Sequence, residues 1–213
     1  MRVDGRLARG ARTRTAVLDA AVALATESGL EGLSLGELAE RLGVSKSGLF
    51  AHWRSKEELQ LAAVERAREQ WVERIVLPAL HRPRGVRRLW GLHDARLAFY
   101  ESGTLPGGCF FAAADIEFVT RTGPVRARLV EALHEWLGLI ERLATEAVAV
   151  GELVGIPSSQ IAFEVNAAGT AAVYQARLSD PAASYRYARR AVLDRLRAAC
   201  PNPTLLPDPE ATA

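Results

Sequence analysis

Between Ser34 and Lys56 the chain commits itself to two short helices joined by a single glycine, and this restricts the fold more than any other feature. Ser34-Leu-Gly-Glu37 is a capping box, in which a serine hydroxyl meets a free amide of the first turn and a glutamate three residues on reaches back. Leu35, Leu38, Ala39 and Leu42 follow at helical spacing. Gly43 stops that helix, because a tight turn there needs a positive φ. Ser45 caps a third short helix running to about His52, and Ser55-Lys-Glu-Glu58 is a second capping box that opens a longer helix to about Leu77. Leu38, Leu42, Val44 and Leu49 are expected to form a small core, with Ala39 small where two helices cross. In such a helix-turn-helix the second helix enters the DNA major groove and its first residues reach base edges.

The rest of the chain also reads as helix. No strand-like alternation lasts beyond a few residues. The pattern predicts a first helix over 12–28, closed by Gly29. After breaks at Pro78 and residues 81–85 come helices over about 86–101, 109–119, 124–150, 158–178 and 181–199. That makes about nine helices in an all-α fold. Residues 201–213 hold four prolines and read as a disordered tail.

The stretch Leu33 to Leu59 resembles the N-terminal signature of the TetR family of regulators. The shared features are Leu38-Ala39 ahead of Leu42-Gly43-Val44-Ser45, the Leu49-Phe50 pair, His52 followed by an aromatic residue, and Ser55-Lys56-Glu57. The resemblance covers about residues 12–64. A weaker one, to the C-terminal domain of one TetR subgroup, runs from Gly107 to Phe118 and includes Gly123-Pro-Val-Arg126. It implies a DNA-binding domain over 1–56 with a basic N-terminal arm, and a helical ligand-binding and dimerisation domain over 57–200. It also implies a transcriptional repressor released from a palindromic operator by a small apolar ligand. Two readings stand beside it: a ligand-independent DNA-binding regulator or activator, and, more remotely, an enzyme on an all-α scaffold.

The expected DNA-contacting residues are Arg12, Ser34, Ser45, Lys46, Ser47, Gly48, Phe50, Ala51, His52 and Lys56. Lys46 and Ser47 open the reading helix, and Ser34 and Ser45 place hydroxyls at helix starts, where the dipole favours phosphate. Lys56 contacts a phosphate by resemblance. Phe50 and His52 either face the duplex or pack into the domain core. Ala51 departs from the family's frequent tyrosine, so a phosphate contact is lost there and a thymine methyl becomes reachable. The helices beyond residue 57 offer Trp71, Trp90, His93, Phe110, Phe111, Phe118 and Trp136, which either line an apolar ligand pocket or are plain core. Small residues on the helix over 158–178, with the last helix, suggest a dimer interface through Ala168, Ala172, Tyr185, Val192 and Leu196.

Composition narrows the field further. Net charge is only +2, but residues 1–14 carry five arginines against Asp4 alone. Cys109 and Cys200 are far apart with no metal-type spacing, so neither a disulfide framework nor a zinc site is expected. The catalytic motifs G-x-S-x-G, H-E-x-x-H and the P-loop are missing, and no cofactor is expected. No apolar run of membrane-spanning or signal-peptide length appears, and a cytoplasmic protein is expected. The expected partners are double-stranded DNA, a small-molecule inducer and a second copy of the chain.

Overall fold

The computed structural model describes residues 5–50 and 52–208, with side chains from Arg14 onward. Among the described residues there are nine α-helices and no strand. They are α1 (Gly5–Ser28), α2 (Leu35–Leu42), α3 (Lys46–Phe50), α4 (Lys56–Trp71), α5 (Val86–Glu101), α6 (Phe110–Phe118), α7 (Pro124–Ala149), α8 (Ser158–Leu178) and α9 (Pro181–Ala199). Helix α4 runs on through a π-helical turn, Val72–Val76, into a last α-turn, Leu77–Leu80. The expected stop at Pro78 is therefore passed. Proline has no N–H to give, and in the π turn ahead of it the Leu77 N–H reaches back to Val72 O. Helix α1 begins earlier than expected, at Gly5.

The chain divides into two compact units. One runs to Glu69 and takes in Leu105–Val130; the other comprises Gln70–Thr104 and the chain from Glu131 onward. Segment 105–130 thus groups with the first unit, although the sequence assigns it to 57–200. The core of the first unit is the α1 stripe Leu18, Ala21, Val22 and Ala25, closed over by Leu30, Leu33, Leu38, Leu49, Trp53 and Leu59. Val44, expected in this core, is 42% exposed, whereas Trp53, not expected there, is buried at 2%.

Helix α6 packs on α1. The Gly107 N–H donates to Thr26 Oγ1 at 2.9 Å, and a Cβ at 107 would run into the Thr26 backbone carbonyl. Only glycine lets the two backbones approach this closely.

In the second unit α8 lies along α9, and α9 also packs on α5. Asp180 caps α9 through the Ala183 N–H at 3.1 Å, with Pro181 in the first turn. Arg189 binds α9 to α5, reaching Asp94 at 2.9 Å and Glu101 at 2.8 and 2.5 Å. Glu152 accepts the Val86 N–H at 2.8 Å and so caps α5.

The expected disorder from residue 201 is not found over 201–208. Arg197 donates to the carbonyls of Pro203 at 3.1 Å and Pro207 at 2.8 Å, Asn202 caps a 3₁₀ turn over Pro203–Leu205, and Leu206 is 5% exposed. The prolines set φ for a turn that α9 then holds by a charged donor.

Substituting Gly107→Ala is expected to remove about 2 kcal/mol of stability in urea unfolding while leaving helical content unchanged. Wild-type stability in that variant would show that α6 is not seated on α1 as described.

Candidate nucleic-acid interface and buried polar groups

The helix-turn-helix closes as its sequence requires. Ser34 is the N-cap of α2, with extended backbone (φ −133°, ψ 147°) and Oγ accepting the Glu37 N–H at 3.2 Å. Gly43 sits in the left-handed region at φ 62°, ψ 30°. Its N–H goes to Glu40 O at 3.2 Å and the Val44 N–H to Ala39 O at 3.0 Å, the paired closure of a Schellman turn. Ser45 Oγ then accepts the Gly48 N–H at 3.2 Å and starts α3.

This geometry leaves Ser34, Ser45, Lys46, Ser47, Gly48, Phe50 and His52 exposed on α2, the turn and α3. Phe50 is 47% exposed, so of its two readings the packed one fails. His52 is also exposed and tilts against buried Trp53, ring centroids 5.6 Å apart. The Arg14 guanidinium lies 5.4 Å over the Trp53 ring, which sets the end of the basic arm beside the reading helices. Ala51 and the Arg12 side chain lie outside the described residues. Lys56 is exposed and already engaged, with Nζ 2.9 Å from Glu31 Oε1. That contact holds the Glu31 carboxyl below its ordinary range, as do Gln60 and Arg121 beside it.

The sequence did not single out what orients this surface. Between α1 and α2 the chain turns at Gly29 (φ 84°), and both carboxylate oxygens of Glu117 on α6 close the turn. Oε2 accepts the Leu30 N–H at 2.7 Å and Oε1 the Glu31 N–H at 3.0 Å, while Gln60 of α4 donates to Leu30 O at 2.9 Å. The partners lie 87, 86 and 30 residues apart, so no local pattern signals them. Asp115, also on α6, is mostly buried, and burial pushes its carboxyl up to about 7.

All seven candidate pocket residues are buried, but they fall in different units. Phe110, Phe111 and Phe118 belong to α6 in the first. In the second, Trp71 and Trp136 meet edge-to-face at 4.6 Å, and Trp90 lies 6.0 Å from His93. Two further residues join the tryptophans. Arg96 on α5 stacks on both rings, and Asn166 on α8 accepts the Trp136 Nε1–H at 3.0 Å. In the sequence Arg96 stands out only as a charge on the helical stripe of Leu89, His93 and Tyr100. The expected dimer residues Ala172, Tyr185, Val192 and Leu196 are buried within the protomer, and Ala168 is half-buried. Within the protomer, α8 and α9 use this apolar face on each other and on α5. The outward face instead carries Phe163, Leu178 and Tyr187, at 68%, 89% and 63% exposure.

Comparison with known proteins bears on both units. Residues 17–63 match the model of bacterial regulatory proteins of the tetR family, and residues 85–192 that of the tetracyclin repressor-like C-terminal domain. The HTH-type transcriptional regulator SrpR of Pseudomonas putida is 26% identical over 147 residues, spanning 68% of this chain and 66% of its own length, just under two thirds. A TetR transcriptional regulator from Chloroflexus aurantiacus superposes with a TM-score of 0.79 at 28% identity, covering 86% of this chain and 93% of that one. AibR, solved in complex with isovaleryl coenzyme A and operator DNA, gives 0.66 at 19% identity over 87% and 97%, a likeness of fold.

Two outcomes are expected of these side chains. Glu117→Ala leaves two buried-side N–H groups unpaired and is expected to lower stability by about 2 kcal/mol in urea unfolding, whereas Glu117→Gln keeps one acceptor and loses less. Folded Asp115 holds its proton up to about pH 7, while in the unfolded chain it releases it near 3.8. Its destabilising effect therefore grows as pH rises from about 4 to 7 and stays constant above. Asp115→Asn is expected to raise the unfolding midpoint at pH 8 and to leave it nearly unchanged at pH 4, as read by thermal melts at the two pH values.

Proposed function

The chain belongs to the TetR family of bacterial transcriptional regulators, and from that premise we propose that it is a repressor that holds a palindromic operator as a homodimer and releases it when a small apolar ligand binds. The observation that carries this reading is the exposed row of hydroxyl, cationic and aromatic groups on α2, the turn and α3. Lys46 and Ser47 open the reading helix and face base edges or phosphates. Ser34, Ser45, Gly48, Phe50 and His52 meet the duplex backbone beside them, with Arg12 and Ala51 as further contacts. Lys56 exchanges Glu31 for a phosphate on binding. Residues 1–56 read DNA in this account, and the helices from 57 onward hold the ligand and dimerise.

A second copy fits on the outward face of α8 and α9. Exposed Phe163, Leu178 and Tyr187 form an apolar surface there, with small Ala167 and Ala171 between them along α8. A groove of about 300 Å³ lined by Tyr174, Leu178 and Tyr187 lies on it. Two such faces make an intermolecular four-helix bundle, and its two-fold axis matches paired half-sites one or more helical turns apart.

Release follows from α6. It lies within the stretch matched by the C-terminal family model, yet its Glu117 and the adjacent Gly107 hold the end of α1. A ligand that favours another position of α6 favours another placement of the reading helices. The repressor carries out no catalytic step and works where the DNA is, in the cytoplasm. No described helix is long and apolar enough to cross a membrane.

The test is operator binding by mobility shift. Raising salt from 50 to 200 mM is expected to weaken it by about 10³-fold or more. Lys46→Ala should weaken it about tenfold with the dimer intact in sedimentation, and Lys56→Ala by less, because its charge is partly answered by Glu31 before binding. Unchanged affinity in both variants contradicts the assignment.

A further inference from the structure

Arg96 lies in the interior of the second unit with 2% of its surface exposed. An arginine at that depth ordinarily faces a carboxylate, yet every partner of Arg96 is neutral. Nε donates to the Tyr100 hydroxyl at 2.7 Å, Nη1 to the backbone and side-chain oxygens of Asn166, both at 3.3 Å, and Nη2 to Thr170 Oγ1 at 3.2 Å. A guanidinium has five N–H groups, so these four acceptors leave one Nη2 proton unanswered. Around the cation stand three aromatic rings, Trp136 at 5.3 Å and Trp71 and Tyr100 at 5.6 Å. Position 169 of α8 is glycine, and any Cβ there would collide with the guanidinium. The fold is shaped to keep this charge inside.

The charge is nonetheless not balanced. Ring faces attract the cation, but by less than taking the ion out of water costs. The acids on the same helix, Asp94 and Glu101, are taken by Arg189. One turn before Arg96, His93 is fully buried, with Nε2 bonded to Ala188 O at 3.1 Å and Nδ1 without a hydrogen-bond partner. Burial holds that ring neutral, with its pKa lowered to about 3, so it adds no second cation. Trp71 is the last residue before the π-helical turn of Val72–Val76, a distortion found often at functional sites.

We propose that the free edge of Arg96 receives the carboxylate of a small apolar acid, whose body packs among Trp71, Tyr100 and Trp136. One guanidinium with neutral neighbours matches a single negative charge; a phosphate dianion or a polyphosphate would need further cations. His93 Nδ1 offers an acceptor one turn away for a hydroxyl on the same ligand. The proposal rests on the ligand-responsive reading and specifies the ligand class for it.

Octanoate and phenylacetate, each beside its primary amide, are the probes, titrated into the full-length protein at pH 7.5 by calorimetry and tryptophan emission. Each acid is expected to bind at least tenfold more tightly than its amide, to raise the melting temperature where the amide does not, and to weaken operator binding. Arg96→Met is expected to erase the acid-over-amide ratio and Arg96→Lys to keep part of it. The wild-type ratio needs no variant, so a failure of Arg96→Met to fold leaves the test standing. Equal binding of acid and amide, or no binding by any of the four probes, overturns the proposal. Acids that bind in that ratio without weakening DNA binding keep the Arg96 site and overturn the ligand-responsive reading. DNA release by the amides alone does the reverse.

Discussion

A carboxylate from one helix closing a turn between two others is the contact on which the first unit depends. Where α1 has ended and α2 has not begun, the Leu30 and Glu31 N–H groups have no helical partner, and Glu117 takes both. Leaving such donors unanswered costs roughly 1–3 kcal/mol each. With its backbone held, Glu31 is free to turn its own side chain to Lys56, Gln60 and Arg121. The placement of α2 and α3, and so of Lys46 and Ser47, follows from an acid far downstream in the chain. The Gly43 turn then needs only its own backbone bonds to fix the angle between the two short helices.

The second unit is organised around polar groups placed inside an otherwise apolar assembly of helices. Apolar packing alone tolerates sliding between helices, whereas hydrogen bonds are directional. His93 to the Ala188 carbonyl sets α5 against α9, and Asn166, shared by Arg96 and Trp136, sets α8 against α5 and α7. Registers held this way change in discrete steps, which is what a switch between two states requires.

Much of the fold was legible because it is written locally. The serine caps, Gly43 and the helical spacing placed α2 and α3, and the bounds of α5, α8 and α9 follow from punctuation by Gly85, Pro157 and Asp180-Pro181. What the sequence hid is non-local. Nothing near Glu117 announces that it serves residues 30 and 31, and nothing near Arg96 announces that α8 brings it Asn166 and Thr170. The apolar stripes of α8 and α9 are buried against each other and against α5, and periodicity alone does not say whether such a face meets its own chain or another. The prolines after 200 signalled irregular backbone, and irregular backbone held by Arg197 is still ordered as far as Asp208.

The proposed two-fold reading of DNA by Lys46 and Ser47 can be checked by selecting bound sequences from random double-stranded DNA. The expected result is enrichment of a palindrome whose half-sites lie one or more helical turns apart, lost when Lys46→Ala and Ser47→Ala are combined. Enrichment of an asymmetric single site, or no enrichment at all, would contradict it.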